Sequence, residues 1–248
     1  MKRYYMIVTG IIILLMSACK KEGELVIKPI RSAQTLNFRG FVLGDTLEQY
    51  FDGRKLREFY ATSFYNGRIV FDKEGPVLME LKRKGDNKVL YSKNIEQDAA
   101  ATDKPVSFYY DGVEVKEKYS YPEAIPGIEQ IAFYFDFPSD MPADIVYGDA
   151  SGDVNSVQYL ARNVQPKQWV DFLKIPPLDG QELYVFLLKA GKKEFLIDNN
   201  FELSYLQANL PLKDGYPGGG VQSLYFRYVD NNGTKGFQTE NLVNIFPR

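Results

Sequence analysis

Short runs of aromatic and β-branched residues recur throughout the sequence, and each run is interrupted by glycine, proline, asparagine or aspartate. Residues 131–135, which read Ile-Ala-Phe-Tyr-Phe, are one such run. These residue types favour β-strands, and the interrupting residues are typical of the turns between strands. Amphipathic helical runs are scarce, and the best of them, residues 47–60, contains the hairpin signal Asp52-Gly53. The pattern predicts an all-β protein.

A segment with two prolines and one glycine, residues 119–127, breaks the strand rhythm. Proline cannot donate a hydrogen bond to a strand ladder, so this segment is the best boundary between two folding units. We therefore expect module 1 at residues 25–118, a linker at residues 119–127 and module 2 at residues 128–248. Each module is expected to be an antiparallel β-sandwich of the immunoglobulin-like or transthyretin-like kind.

Two-residue Asn-Gly and Asp-Gly sequences are the strongest local signals for β-hairpins. They predict hairpin turns at Asp52-Gly53, Asn66-Gly67, Asp111-Gly112 and Asn232-Gly233. We further expect a turn at Gly44-Asp45, a hairpin around Gly85 and a hairpin around Gly191 that joins residues 183–189 to residues 194–201.

The first 18 residues have the order of a secretory signal peptide. Lys2 and Arg3 precede an apolar run at residues 4–16, and this run is too short for a membrane-spanning helix of about 20 residues. Ser17 and Ala18 precede Cys19, and these three residues resemble a bacterial lipobox, which implies cleavage before Cys19 and acylation of its thiol. Cys19 is the only cysteine, so an intramolecular disulfide is impossible. An uncleaved anchor and a secreted protein without lipid stay open as alternatives.

Residues 19–24 form a short charged tether after the cysteine. This tether resembles the export tag of surface lipoproteins in Bacteroidota, and two or three acyl chains on Cys19 would anchor the protein durably. The resemblance implies an outer-membrane lipoprotein exposed at the cell surface, although a periplasm-facing orientation also stays open.

The composition excludes several kinds of chemistry. The chain contains no histidine, so Ser-His-Asp and Cys-His catalysis and histidine-ligated zinc are excluded. The formal net charge is −2, and no basic patch suggests nucleic-acid binding. A glycoside hydrolase needs only two carboxylates, and that class stays open because no pair can be recognised from spacing. We expect a protein that is not an enzyme and that has no cofactor, with calcium as one alternative.

Three sets of residues are candidates for binding or modification. Aspartates crowd around two loops, and oxygen-rich loops suit calcium, which predicts a site at Asp140, Asp144, Asp149 and Asp153. Exposed aromatic rings could bind a ligand, and the candidates are Tyr119, Tyr121, Tyr216 and Trp169, although all four rings also suit structural packing. Asp45-Thr46-Leu47 resembles the O-glycosylation acceptor of Bacteroidota, which implies a glycan on Thr46.

Two segments of module 1, residues 48–53 and residues 75–95, match residues 144–149 and 180–201 of module 2 as weak internal repeats. These segments resemble a bacterial cell-surface family of β-sandwich repeats of unknown function. The layout also resembles Bacteroidota lipoproteins that accompany outer-membrane nutrient importers. These resemblances imply a non-catalytic binding or accessory module with an outer-membrane transporter, a surface glycan or a peptide as partner. A structural fibre or adhesin subunit is the alternative, and a carboxylate-dependent glycoside hydrolase is the second alternative.

Overall fold

The computed structural model describes residues 30–86, 88–97, 106–180 and 182–248. The signal peptide, the acylation of Cys19 and the tether therefore lie outside the described residues and stay predictions. Almost all regular structure in the described residues is β-strand, so the predicted all-β class is confirmed. The division into two modules also stays a prediction, and "module 1" and "module 2" denote here the strands before and after residues 119–127.

Fourteen strands and two one-turn helices make up the regular structure of the described residues. The strands of module 1 are β1 (Ser32–Phe51), β2 (Arg54–Phe71), β3 (Val77–Arg83), β4 (Val89–Ile95), β5 (Val106–Tyr110) and β6 (Val115–Lys116). Module 2 contains β7 (Glu129–Asp136), β8 (Ala143–Gly148), β9 (Gln158–Val164), β10 (Trp169–Ile175), β11 (Tyr184–Lys189), α1 (Phe201–Ser204), β12 (Tyr205–Leu206), β13 (Val221–Asn231), β14 (Thr234–Asn241) and α2 (Leu242–Ile245).

In module 1, one sheet supplies both layers of the sandwich. Strand β1 pairs with β2 along one edge, and along its other edge the first half pairs with β5 and the second half with β3. A β-bulge separates the halves, because the pairing jumps from Val42 with Ala61 to Thr46 with Tyr60. Bulges bend strands, which lets one strand pass from one layer to the other. Side chains from both halves, such as that of Phe38, consequently meet in one buried core.

Module 2 consists of two four-stranded sheets, in the orders β10-β7-β13-β14 and β12-β11-β8-β9. Alternate residues of both sheets fill one core; Phe133 and Phe226 come from the first sheet, and Ile145 and Leu187 from the second. Strand β7 pairs with β13 in parallel, as β1 does with β5 in module 1. Two of the three sheets are therefore mixed, whereas the sequence predicted antiparallel pairing throughout; only the sheet β12-β11-β8-β9 is antiparallel in every pair.

Several turn predictions are confirmed. Asp52-Gly53 joins β1 to β2, and Asn232-Gly233 joins β13 to β14, with both residues of each pair at positive φ. The turn at Gly85 joins β3 to β4, and Asp111-Gly112 lies between β5 and β6.

Three other local predictions are wrong. Asn66-Gly67 lies inside β2, where Asn66 pairs with Asn37, so β1 keeps this segment extended. The expected turn at Gly44-Asp45 is part of the bulge in β1. Residues 194–201 do not form a return strand, because only one bridge, from Leu188 to Phe195, follows β11 before the chain turns into α1.

Candidate functional site

An open groove enters module 1 between the two ends of β2, and we call it the β2 groove. Its volume is about 590 Å³, and it is lined by Phe51, Asp52, Arg54, Lys55, Leu56, Tyr65, Arg68, Ile69, Val70, Asp72, Lys73 and Val77. Residues 54–56 and 68–70 lie at opposite ends of β2, and the bend at the bulge brings them to the same opening.

The floor of the β2 groove is apolar, and its rim exposes apolar side chains to solvent. Ile69 and Val77 are buried, whereas Leu56 and Val70 are each 46% exposed. Strand β2 pairs with β1 and with no other described strand, so one edge of an 18-residue strand carries no ladder partner there. Unpaired strand edges are templates for the addition of another strand. The groove therefore combines an apolar floor with a strand that has one edge without a ladder partner, along which the Phe64 carbonyl accepts a hydrogen bond from Arg57 at 3.0 Å.

The charges around the β2 groove are predominantly basic. Lys73 pairs with Asp52 at 3.1 Å, and Lys55 pairs with Glu48 at 2.5 Å outside the groove. Among the described residues, Arg54 and Arg68 form no ion pair. Four basic side chains and the carboxylates of Asp52 and Asp72 line the groove, and Arg54 is one of the charges that lower the pKa of Asp52. An acidic group entering the groove would therefore meet a net positive charge.

Asp52 is held in the ionised form. Its carboxylate accepts a hydrogen bond from the backbone N–H of Leu78 at 3.0 Å. This bond is the main cause that lowers the pKa of Asp52, and Lys73 lowers it further. A catalytic proton donor in a glycosidase needs a raised carboxyl pKa, so Asp52 is not arranged as such an acid.

A half-buried arginine packs against the core of module 1. The Arg57 guanidinium lies over the rings of Phe38, Phe59 and Tyr65, at 5.1, 5.2 and 4.8 Å from their centroids. Its Nε donates to Oε1 of Gln49 at 2.8 Å. Burial lowers the pKa of Arg57. The cation–π contacts compensate part of the cost of burying this charge and hold the two halves of β2 around one core.

The second notable region is the contact between the modules, which we call the inter-module seam. Its buried apolar residues are Phe41, Leu43, Tyr109, Tyr134, Tyr225, Leu242, Ile245 and Phe246. The Phe41 ring meets the Tyr225 ring edge-on at 5.0 Å. Burial raises the pKa of Tyr134 to about 12. These rings exclude water from the seam and join the two sets of strands.

A carboxylate lies at the polar centre of the seam. The Asp136 side chain is 7% exposed and accepts hydrogen bonds from the hydroxyls of Tyr60, in β2, and Tyr225, in β13, the latter at 2.7 Å. Lys167 lies 3.7 Å away but is largely exposed. Burial is the main cause that raises the pKa of Tyr225, and its hydrogen bonds with Tyr60 and Asp136 raise that pKa further. A buried charge with two donors therefore links module 1 to module 2.

The structure brings three of the four predicted aromatic ligand-binding residues together, and all three lie in the seam. The Tyr119 ring contacts the Tyr121 ring at 4.8 Å and the Trp169 ring at 6.3 Å. The Trp169 indole Nε1 donates to the hydroxyl of Tyr109 at 3.3 Å. These contacts give the three rings a packing role, and their use by a ligand stays a prediction.

Tyr216 lies apart from the other three rings. It is 45% exposed, and its hydroxyl donates to Oε2 of the buried Glu129 at 2.8 Å. Glu129 also accepts bonds from the N–H of Gly220 and from the side chain of Gln222. Tyr216 therefore helps to close the glycine-rich loop on β7.

The predicted calcium ligands do not converge. Asp144 is buried and accepts bonds from the N–H groups of Asn163 and Gly191. Asp149 and Asp153 each cap their own turn. In the part of the chain that the structure describes, no three acidic, cysteine or histidine side chains lie close enough to hold a metal ion. The geometry gives the calcium prediction no support.

Thr46 lies directly after the bulge in β1 and is half-buried. Its N–H donates to Asp45 at 2.7 Å, and its carbonyl accepts from the N–H of Lys84 at 2.9 Å. Its O-glycosylation stays a prediction. None of the helices within the described residues is both long and apolar enough to cross a membrane.

The β2 groove was not predicted from the sequence. Its signal was the two exposed apolar side chains of Leu56 and Val70 at opposite ends of β2, the latter between the buried Ile69 and Phe71. Exposed apolar side chains that gather beside charged residues are typical of an interaction surface.

The chain is similar to a solved structure, but it matches neither a family model nor a curated protein. Among solved structures, the chain is similar to the tip fimbrial protein Mfa3 from Porphyromonas gingivalis with C-terminal truncation, at a TM-score of 0.23 and 10% identity. The alignment covers 85% of this chain and 99% of that chain. A TM-score this low does not establish a shared fold.

Proposed function

We propose that this protein is a non-catalytic, lipid-anchored cell-envelope protein that binds an extended peptide segment of an outer-membrane partner, such as a nutrient transporter. The observation that carries this proposal is the β2 groove, where an apolar floor lies beside the unpartnered edge of β2. An extended peptide satisfies both features, because its backbone adds to the strand edge and its alternate side chains enter the groove.

The charge of the groove defines the peptide further. Arg54 and Arg68 favour a segment that carries at least one carboxylate between apolar residues. The seam holds module 2 against module 1, so the groove would be presented as part of one body above the membrane.

In this proposal, acylation of Cys19 holds the protein at the membrane. Metabolic labelling with a palmitate analogue should label the wild type, whereas Cys19→Ala should lose the label and leave the membrane fraction. Labelling that persists in the Cys19→Ala protein would contradict the anchor without affecting the groove.

Capture of the partner tests the groove. The native lipidated protein is cross-linked in cells, extracted in detergent and purified, as wild type and with Leu56→Glu and Val70→Glu combined. Both side chains are exposed, so the substitutions should leave the fold intact, and they place acids where an acidic peptide would bind. Val113→Glu is the matched control, because Val113 is 80% exposed and lies away from the groove. Capture of a membrane protein by the wild type and the control, with at least about tenfold less by the double variant, would support the proposal; equal capture by all three would contradict it. A tenfold loss corresponds to about 1.4 kcal/mol.

A fibre or adhesin subunit is the second candidate function, and the same edge of β2 favours it, because a strand from a second copy could add there. This function predicts that the detergent-extracted protein increases in mass with concentration and that the double variant stays monomeric. A monomer at all concentrations would contradict assembly through β2.

A further inference from the structure

A second recess crosses the inter-module seam, and we call it the amide cleft. It consists of two adjoining hollows of about 460 and 360 Å³ that share Asn244 of α2. Asn37 of β1 and Asn66 of β2 are cross-strand partners in the smaller hollow. Gln207 and Asn209, which follow β12, line the larger one. Both modules therefore contribute side chains to one cleft.

The amide cleft is nearly free of charge. Seven carboxamide side chains line the two hollows, and Arg39 is the only charged residue among the lining residues. Within the described residues, the side chains of Asn37, Asn66, Gln207, Asn209 and Asn244 form no hydrogen bond. Their donors and acceptors are available to a ligand.

One buried amide pre-organises the larger hollow. Gln222 is 6% exposed, and its Nε2 donates to Glu129 at 2.6 Å and to the carbonyl of Asn209 at 2.9 Å. Its Oε1 accepts from the N–H of Asn209. These bonds fix the backbone that carries Asn209, so the wall of the hollow is held without a ligand.

The chemistry of the lining selects the class of ligand. A carboxamide offers a donor and an acceptor together, which matches a hydroxyl group, because a hydroxyl also donates and accepts. The Phe64 ring is 57% exposed in the smaller hollow and offers an apolar face to the C–H groups of a sugar ring. An anion would need more cations than Arg39, and a cation would need carboxylates, which the lining lacks.

We propose that the amide cleft binds a neutral oligosaccharide, with successive sugar units in the two hollows and Asn244 between them. This site is separate from the β2 groove, and the two proposals stand independently. Peptide binding in the cleft is the competing outcome, since carboxamides also bind peptide backbone.

Calorimetric titration of the mature protein tests the proposal. The probes are the neutral hexasaccharides of glucose (α-1,4 and β-1,4), mannose and xylose, a polygalacturonate oligomer as the charged comparison, and an uncharged peptide. We expect at least one neutral hexasaccharide to bind, and we expect Asn244→Ala and Phe64→Ala each to weaken that binding by about tenfold, as the loss of a hydrogen bond or an aromatic contact would. Asn94→Ala is the matched control, because Asn94 is an exposed strand asparagine outside the cleft.

If the Leu56→Glu and Val70→Glu double variant still binds the hexasaccharide, the sugar does not bind in the β2 groove. The proposal is overturned if no neutral hexasaccharide binds, if only the charged oligomer or the peptide binds, or if Asn244→Ala and Phe64→Ala bind as the wild type does.

Discussion

Replacing Tyr60 by phenylalanine should weaken the inter-module seam while leaving its apolar packing in place. The substitution removes only the hydroxyl that donates to Asp136 across the seam. Asp136 then keeps the bond from Tyr225 at 2.7 Å and a contact with Lys167 at 3.7 Å. The Lys167 contact is mostly exposed and contributes little.

The size of the effect follows from the burial of the carboxylate. With its side chain 7% exposed, Asp136 has little water available to replace the lost donor. A hydrogen bond to a charged group contributes about 1.5–3 kcal/mol, so Tyr60→Phe should lower the free energy of unfolding by about that amount. With a urea m-value of about 2 kcal/mol/M, the unfolding midpoint should fall by roughly 1 M.

Trp169 provides the signal for this measurement. It is the only tryptophan, and it lies in the seam with its indole N–H bonded to Tyr109. Urea unfolding followed by tryptophan fluorescence therefore reports the seam directly. Tyr65→Phe is the control, because Tyr65 lies on the same strand and its hydroxyl bonds to no described residue. Equal midpoints for Tyr60→Phe and Tyr65→Phe would refute the proposed contribution of the Asp136 network.

Three further predictions concern pH and packing. Burial raises the pKa of Tyr134 from about 10 to about 12, so the contribution of Tyr134 to the stability of the folded protein is complete below pH ~10 and is lost as pH rises towards 12. Tyr134→Phe should therefore flatten the decline in Tm at alkaline pH. A hydrogen bond from a backbone N–H lowers the pKa of Asp52, so the contribution of Asp52 to the stability of the folded protein is complete above pH ~3.9 and is lost as pH falls through the lowered pKa. In urea unfolding, Asp52→Asn should therefore lose less stability at acidic pH than the wild type. Gly40→Ala would place its Cβ 1.7 Å from the Phe108 ring and should cost about 1–3 kcal/mol, whereas Gly236→Ala, with nothing within 4 Å, should cost less in the same assay.

The features predicted best from the sequence are the hairpins that join consecutive strands. Strands β3 and β4, and likewise β13 and β14, carry their turn signal between them, so a short window contains both partners. The same signal misled at Asn66-Gly67, because β1 pairs with this segment from 29 positions away, Asn37 opposite Asn66, and keeps it extended. Local turn preference is weak beside a ladder of backbone hydrogen bonds and a buried face.

The candidate sites were predictable only in part. Tyr119, Tyr121 and Trp169 were predicted as ligand-binding residues, which stays a prediction, and nothing local showed that they meet in one seam. The β2 groove and the amide cleft depend on residues that are distant in sequence, such as Leu56 and Val70 or Asn66 and Asn244.

The sequence alone determined that the chain is all-β and where most strands and several turns lie, because alternation and turn chemistry act between near neighbours. The tertiary structure decided how β1 and β2 bend, how Asp136 joins the two sets of strands and which side chains line each recess. These features depend on a bulge and on packing between distant segments, and their energies come from burial and pairing that no short stretch of sequence contains.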